Sequence, residues 1–293
     1  MVGEGAPDKY TTGVGGSVRC VSEAALGAGY GASVGLDLTL RLRLRDDEPT
    51  KSVDDPSGVL DAVVEVREAA GLEKPAENLH WQVRSSIPVG QGLKSSAALS
   101  VAALKALCEA SKVELENTDI VDLSSQAQLA SGVSLTGCID DAWAAIEPGW
   151  KVVNPNLPAA EGILMQGSFL EPEKWIVLVV LRGPRELLPD PGRFANTGPQ
   201  FQKAITAMEQ ESLLVAITEN GRAVANALGD SAGRRVANDL MVWGARAAGI
   251  TGSGSAVVAF LPTHNDSTMR RIQSLVEQRG FTMIETAVWS EEE

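Results

Sequence analysis

The chain has 293 residues, of which 44% are hydrophobic and 22% are charged, so it can form two modest domains or one large one. Its 38 acidic and 25 basic residues give a formal net charge of −13, which argues against a general nucleic-acid-binding surface. The three cysteines, Cys20, Cys108 and Cys138, are widely spaced and odd in number. They predict a reducing compartment rather than a disulfide framework.

The sequence has no signal-peptide pattern and no run of 18 apolar residues, so we expect a cytoplasmic protein without a membrane partner. Its two histidines are His80, on a predicted strand, and His264, in a turn after Pro262. Both positions favour structural roles, which disfavours a mechanism that depends on a histidine base.

A glycine-dense segment from Leu26 to Asp37 precedes Leu38 to Leu44, where Leu alternates with Thr or Arg as in a half-buried strand. The glycines do not meet the G-x-G-x-x-G spacing, and no apolar strand leads into them. A loop that lines a small-molecule pocket is therefore favoured over a dinucleotide site. An amphipathic helix is predicted from Ser57 to Ala70.

The stretch from Ser86 to Ala110 joins a strand (Leu79 to Ser85) to a helix through a loop that contains proline and glycine. Ser95 and Ser96 fall in the first helical turn, where backbone N–H groups and the helix dipole attract an anion such as phosphate. Gly90 and Gly92 allow close backbone approach. A well-capped core helix after a turn is the alternative. The stretch is not a Walker A loop, because Leu93 and not glycine precedes Lys94.

A second informative segment follows the helix predicted from Asn117 to Ala130, for which Thr118 is the expected cap. There, a Thr136-Gly137 turn leads into two adjacent acids, Asp140 and Asp141, at the head of an apolar helix. Acids favour helix N-termini for electrostatic reasons alone, so the residues by themselves leave the function of the pair open.

The rest of the chain is predicted to form a second domain. Residues Pro148 to Pro158 are rich in Pro and Asn, which favours a crossing there and domains of 1–153 and 154–293. Beyond it we predict a buried strand from Trp175 to Leu181, followed by helices from Pro199 to Glu219, Gly221 to Leu228 and Arg235 to Ala248. A small-residue loop that turns into a strand is predicted from Ala248 to Phe260. The chain is predicted to end with a helix from Ser267 to Gln278 and a strand from Thr282 to Val288.

Four motifs resemble those of known kinases. The pattern P-x-x-x-G-L-x-S-S-A-A at Pro88 to Ala98 resembles the central motif of the GHMP kinases, named after galactokinase, homoserine kinase, mevalonate kinase and phosphomevalonate kinase. Gly249 to Ala256 resembles their third motif, with Ser255 where proline is common. Gly29 to Asp37, and Thr136-Gly137 followed by Asp140-Asp141-Ala142, are similar to segments of one branch, the archaeal-type shikimate kinases.

The resemblance implies an α+β fold of two domains, with the active site in the cleft between them. The first would be like the second domain of a small-subunit ribosomal protein, and the second would be ferredoxin-like. It also implies ATP and Mg²⁺ as cofactors. The residues implied to bind ATP are Pro88, Val89, Gly90, Gln91, Gly92, Leu93, Lys94, Ser95, Ser96, Ala97 and Ala98.

The remaining implied roles concern the metal, the base and the acceptor. Ser96 is expected to hold Mg²⁺ and Asp140 to act as catalytic base; the residues expected to bind the acceptor are Asp37, Thr136, Asp141, Gly252 and Gly254. Lys94 either adds positive charge or is a solvated loop lysine, and Asp141 holds the metal, binds the substrate or only caps its helix. Several GHMP kinases carry a metal-binding Glu on the preceding helix, where this chain offers Gln126 and Gln128, and a neutral amide is a poor Mg²⁺ ligand.

The implied reaction is ATP-dependent phosphorylation of shikimate at its 3-hydroxyl, in aromatic amino-acid synthesis. Homoserine kinase or another small-alcohol kinase is the alternative within the superfamily, and a non-catalytic ligand sensor is the alternative from another class. The carboxylate of shikimate requires a cation, for which the sequence offers Arg19, Arg182, Arg185 and Arg193 without ranking them.

Overall fold

A computed structural model describes residues 10–18, 29–45, 53–75, 77–137, 139–184, 189–263 and 266–290, and for residues 10–18 it describes the backbone only. Cys20, Cys138, Arg19, Arg185 and His264 lie outside the described residues. Across the described part, no helix combines the length and the apolar character that crossing a bilayer demands.

The first part of the molecule is built on a five-stranded antiparallel sheet centred on β2. Strand β2 pairs with β1 along most of its length, with β3 through its second half and with β4 through its first half, and β5 pairs with β4. The strands are β1 (Tyr10–Val18), β2 (Gly31–Arg45), β3 (His80–Ser85), β4 (Trp150–Val153) and β5 (Ile163–Gly167).

Helices cover one face of this first sheet. They are α1 (Val59–Ala69), α2 (Ser95–Ser111), α3 (Asn117–Ala130), α4 (Asp140–Ile146) and the short α5 (Ala159–Gly162). Helices α2 and α4 pack directly on β1 and β2, while α1 and α3 pack on α2 and on each other. Because α2 is rich in Ala, it fits closely among these elements and is buried on nearly every side. Helix α2 is therefore the central helix of the first part.

The second part of the molecule is built on a four-stranded antiparallel sheet in the order β7-β8-β6-β9. A 3-10 turn (Pro172–Lys174) leads into this sheet. Two antiparallel sheets, each packed with helices, confirm the predicted α+β fold class. The strands of the second part are β6 (Trp175–Leu181), β7 (Ala247–Ile250), β8 (Val257–Pro262) and β9 (Thr282–Thr286), and its helices are α6 (Pro191–Asn196), α7 (Gly198–Glu209), α8 (Leu213–Leu228), α9 (Ser231–Val242) and α10 (Asp266–Gln278).

The C-terminal segment ties the second part to the first. The Asp37 amide donates to the Ala287 carbonyl at 2.9 Å, and the Thr286 hydroxyl donates to the Asp37 carbonyl at 2.7 Å. Leu36 and Val288 also form an isolated antiparallel bridge. The end of the chain therefore pairs with the middle of β2.

Several predicted elements agree closely with the structure and others do not. The ranges predicted for α3 and β6 are confirmed at both ends. The helix predicted from Pro199 to Glu219 is wrong, because it breaks between α7 and α8, where Glu211 has a φ of 56°. Gly221 lies inside α8 rather than at a helix start. Thr118 is not a cap, because α3 begins one residue earlier.

The crossing between the two parts also comes later than the sequence predicts. Residues 148–158 include β4, and β5 joins β4 in the first sheet. The chain leaves that sheet only after Gly167, and the second sheet begins with Trp175. Residues 154–167 therefore pack with the first sheet, on the other side of the boundary expected after residue 153.

Candidate active site

A cavity of about 700 Å³ opens at the start of α2. Its walls come from the loop before α1, from β3, from the loop and first turn of α2, and from the turn after α3; Ser253 adds a single side chain from the second part. This volume lies within the usual range of small-molecule sites. The cavity is the candidate ligand site of the chain.

The first turn of α2 faces this cavity. The helix begins at Ser95, and the residue before it, Lys94, has left-handed backbone angles (φ 55°, ψ 42°) and makes no side-chain cap bond. Lys94, Ser95 and Ser96 all line the cavity. Because the first N–H groups of a helix have no intrahelical acceptor and the dipole is positive there, this wall suits an anion.

The loop that precedes α2 is held from the second part of the molecule. The Ala256 amide donates to the Gln91 carbonyl at 3.1 Å. The Thr251 hydroxyl lies 3.3 Å from the same carbonyl oxygen and 3.2 Å from that of Gly92. A Cβ on Gly92, whose φ is 84°, would lie 2.7 Å from the Cα of Gly254. The two glycine-containing loops therefore meet backbone to backbone.

The paired acids lie in the first turn of α4 and are buried, Asp140 with 0% and Asp141 with 1% of its surface exposed. The Ser33 hydroxyl donates to the Asp140 carbonyl at 2.7 Å, which fixes the start of α4 against β2. The turn before it is fixed from α3, where the Ser125 hydroxyl donates to the Gly137 carbonyl. The backbone that presents the acids is thus anchored on two sides.

An ion pair joins the two motifs. Lys94 Nζ lies 3.7 Å from Asp141 Oδ2, and α4 packs against α2. The start of α2 and the acid-bearing start of α4 are therefore neighbours, although Lys94 and Asp141 are 47 positions apart in the sequence.

Comparisons with known proteins agree with this geometry. Residues 57–149, which include both motifs, match the family described as GHMP kinases N terminal domain. A shikimate kinase of Methanobrevibacter smithii is 27% identical over 283 residues, which cover 93% of this chain and 94% of that protein. The chain is therefore similar to the GHMP kinases over the segment that carries both motifs.

Two further comparisons bear on branch and fold. A shikimate kinase of Pyrococcus abyssi is 34% identical over 131 residues, which cover 41% of this chain and 47% of that protein. The crystal structure of Methanococcus jannaschii mevalonate kinase covers 98% of this chain and 100% of its own, with a TM-score of 0.75 at 15% identity. At that identity the likeness shows the fold, which agrees with the two-part architecture.

Of the residues predicted to bind nucleotide, the cavity is lined by Val89, Gly90, Gly92, Lys94, Ser95 and Ser96. The remaining ones do not lie on the cavity wall: Pro88, Gln91, Leu93, Ala97 and Ala98. Leu93, Ala97 and Ala98 are fully buried, and Gln91 accepts hydrogen bonds from the second part. These five residues shape the loop and anchor the helix.

The predicted acceptor residues are not all brought together. Thr136 lies in the turn before α4, close to the acids. Asp37 is exposed on β2 between the buried Leu36 and Leu38, so it projects from the sheet face opposite the helices. Gly252 and Gly254 are buried, and a Cβ on Gly254 would overlap the backbone of Gln91. The third motif therefore supports the loop before α2.

The two described arginines proposed for a substrate carboxylate already have partners. Arg182 forms a buried ion pair with Asp230, and its Nε donates to the Ser255 carbonyl at 2.5 Å. The Arg193 guanidinium donates to the carbonyls of Leu228 and Asn226, each at 3.4 Å. Both side chains therefore connect elements within the second part.

The glutamines on α3 point in different directions. Gln126 is exposed, whereas Gln128 is buried and donates to the Ser124 hydroxyl at 3.4 Å. Ser124 in turn lies 2.6 Å from the Ser100 hydroxyl of α2. The interior position on α3 is thus part of a neutral polar network between two helices.

Sequence reasoning missed part of the cavity wall. Asp54, Ser57, Gln82 and Arg84 line it from the loop before α1 and from β3. The loop before α1 is charged and contains proline, as ordinary connecting loops often are. Asp55, next to Asp54, caps α1 by accepting from the Val59 and Leu60 amides. No local pattern marks these residues, and Gln82 and Arg84 reach the site only through the pairing of β3 with β2.

Cys108 lies inside α2 and is buried. Burial raises the pKa of its thiol, and the nearby Arg67 guanidinium opposes that rise. The thiol is therefore a poor nucleophile, and Cys108 packs as part of the helix interior.

Proposed function

We propose that this chain is a GHMP kinase that transfers the γ-phosphoryl group of ATP to the 3-hydroxyl of shikimate. One observation carries the proposal: the contact between Lys94 and Asp141 puts the acid-bearing turn of α4 beside the anion-binding start of α2. The relatives named shikimate kinase, one of them aligned over 93% of this chain, support the choice of acceptor.

The nucleotide occupies the cavity at the start of α2. Its β- and γ-phosphates lie against the backbone of Gly90 to Ser96, where positive φ values at Gly90 and Gly92 turn the loop toward the helix. Phosphoryl transfer asks a protein mainly for positioning and charge stabilisation. A loop clamped from the second part and a helix N-terminus supply both.

Asp140 takes the proton of the acceptor hydroxyl. As that oxygen bonds to the γ-phosphorus, the bond from the phosphorus to the β,γ-bridging oxygen breaks and ADP leaves with its electron pair. The Asp140 backbone is fixed by Ser33, which limits the motion of the base. Thr136, in the adjoining turn, is the acceptor contact retained from the sequence motif.

Mg²⁺ fits this site as an ion held mainly by the nucleotide. No group of three His, Cys, Asp or Glu side chains suited to a metal occurs among the described residues, and Mg²⁺ commonly keeps waters and binds through phosphates plus one or two protein oxygens. The Ser96 hydroxyl, on the cavity wall, is the proposed protein ligand. The ion would neutralise developing phosphate charge.

The test is an acceptor panel with ATP and Mg²⁺, read by ADP release and by mass spectrometry of the product. We expect phosphorylation of shikimate and none of homoserine, mevalonate or galactose. Preference for another alcohol would overturn shikimate as the acceptor and leave the proposed kinase activity standing. ATP binding without ADP release on any of the four would favour a ligand sensor. The proposal includes the cytoplasmic location expected from the sequence.

A further inference from the structure

Lys94 differs from the other residues with unusual backbone angles. Four non-glycine residues in the described part have positive φ: Lys94, Lys112, Glu171 and Glu211. The last three are exposed. The side chain of Lys94 is only 12% exposed, lines the cavity and reaches the first turn of α4.

Asp141 provides the reason for this inward position. Its side chain is 1% exposed, and a buried carboxylate is costly unless a positive charge or hydrogen bonds compensate it. Lys94 supplies a positive charge from the cavity side. At 3.7 Å the pair is longer than the roughly 2.7–2.9 Å of a tight charged hydrogen bond, and Lys94 lines the cavity, so Lys94 contacts Asp141 and the cavity together.

We propose that Asp141 is a positioning residue for Lys94: it holds the ammonium at the cavity wall, where Lys94 contacts the terminal phosphate of the bound nucleotide. Asp141 then acts through Lys94 rather than by touching the acceptor. This inference rests on the proposed function and gives Asp141 a role other than metal ligand, substrate ligand or helix cap.

The cavity gives the proposed contact a clear chemical purpose. The terminal phosphate of ATP carries negative charge that spreads over its oxygens during transfer. The buried glutamine of α3, Gln128, is neutral and brings no charge to this region. A lysine beside Ser95 and Ser96 brings a fixed cation to the same wall. Its position depends on Asp141, because a flexible lysine chain has several rotamers to choose from.

The experiment is a double-mutant cycle on the full chain with Lys94→Met, Asp141→Asn and the double variant. Isothermal titration calorimetry would measure binding of ADP and of a non-hydrolysable ATP analogue, and steady-state assays would give kcat. We expect Lys94→Met to weaken the analogue by about 10-fold or more, as for a lost charged hydrogen bond, with ADP changed by only about 2-fold or less.

Asp141→Asn should weaken the analogue in the same direction, and adding it to Lys94→Met should cause no further loss. That non-additivity is what a residue acting through its partner predicts. Lys94→Arg should recover part of the binding. Lys112→Met is the matched control, since Lys112 has nearly the same backbone angles at the other end of α2 and is exposed; it should leave all values unchanged.

Three results would overturn the inference. Asp141→Asn could cause the same loss in both backgrounds, Lys94→Met could weaken ADP and the analogue equally, or it could behave like Lys112→Met. Thermal melting checks the folding of each variant, and the double variant, which removes both charges, is expected to be at least as stable as Lys94→Met. Since binding is read without an acceptor, an inactive panel with an intact cycle would overturn the proposed reaction and leave this inference standing, whereas absence of all nucleotide binding would overturn both proposals.

Discussion

The two parts of the molecule contribute to the cavity in different ways. The part built on the first sheet supplies nearly all of the wall, including Lys94, Ser95 and Ser96, and it carries the paired acids on α4. The part built on the second sheet brings Ser253 to the wall and otherwise contributes backbone contacts to Gln91 and Gly92. One part carries the residues proposed to react, and the other supports the loop before α2.

The same contrast appears in the two glycine-containing loops. In the first loop Gly90 has open space where a Cβ would be, and it lines the cavity. In the second loop Gly254 leaves room for the backbone of Gln91. Glycine removes a Cβ in both cases, but at Gly90 it leaves open space on the cavity wall and at Gly254 it leaves room for protein backbone. Similar composition therefore does not imply the same task.

The largest expected effect is a loss of turnover on changing Asp140, the proposed catalytic base in the first part of the molecule. Asp140→Asn should lower kcat by about 10²- to 10⁴-fold, as for loss of a general base, while ATP-analogue binding is retained. Stopped-flow or coupled assays measure turnover, and calorimetry measures binding. Asp119→Asn is the control, because Asp119 is an exposed acid in the first turn of α3. Wild-type turnover in Asp140→Asn would remove Asp140 from its role.

The next effect tests the second part as a support. Arg182→Met leaves buried Asp230 without its ion-pair partner and should lower the free energy of unfolding by about 3–5 kcal/mol. Arg279→Met breaks the more exposed pair with Asp239 and should cost about 1 kcal/mol or less. Urea titrations give both values. A stable Arg182→Met protein with weakened shikimate binding would instead make Arg182 a substrate contact.

A smaller effect separates the two glycines of the loop before α2. Both have positive φ, 73° at Gly90 and 84° at Gly92, so alanine is strained at each by a similar amount, about 1 kcal/mol. At Gly92 the added Cβ would also press on Gly254. The melting temperature of Gly92→Ala should therefore fall further than that of Gly90→Ala. Equal falls would mean that the loops do not depend on this backbone contact.

The smallest effect concerns Asp122 on α3, whose Oδ1 accepts from the Ala159 amide at 2.9 Å. Burial raises the pKa of Asp122 above its ordinary 3.8; the hydrogen bond from Ala159 opposes the rise and the charge of Asp119 adds to it. Because the folded state then favours the protonated form, the ionised carboxyl costs stability above that pKa.

Asp122→Asn keeps an acceptor oxygen and removes the charge. It should stabilise the protein slightly at neutral pH, by about 0.5 kcal/mol or less because the group is partly solvated. The gain should disappear as the pH falls below the ordinary value of 3.8. Melting curves from pH 3 to pH 8, roughly the range over which such linkage acts, would show it. A loss of stability at neutral pH would contradict the assignment.

The sequence by itself determined the elements with strong local signals and the order of the motifs. The apolar run of β6 and the pattern of α3 predicted both ends of these elements correctly. The motif at Pro88 to Ala98 predicted where α2 begins and which of its residues line the cavity wall, among them Ser95 and Ser96. Periodicity and turn chemistry act over a few residues, so these features need no knowledge of distant contacts. The break at Glu211 was missed, since nothing local marks a left-handed glutamate.

Tertiary structure alone decided which motif residues reach the cavity. Strand pairing turned Asp37 away from the helices, loop docking buried Gly254, and the Asp230 carboxylate engaged Arg182. Thr251 and Gln91, whose hydrogen bond clamps the loop, are 160 positions apart, and Lys94 meets Asp141 only because α2 and α4 pack side by side. Such contacts depend on how whole elements are placed, which local patterns do not encode.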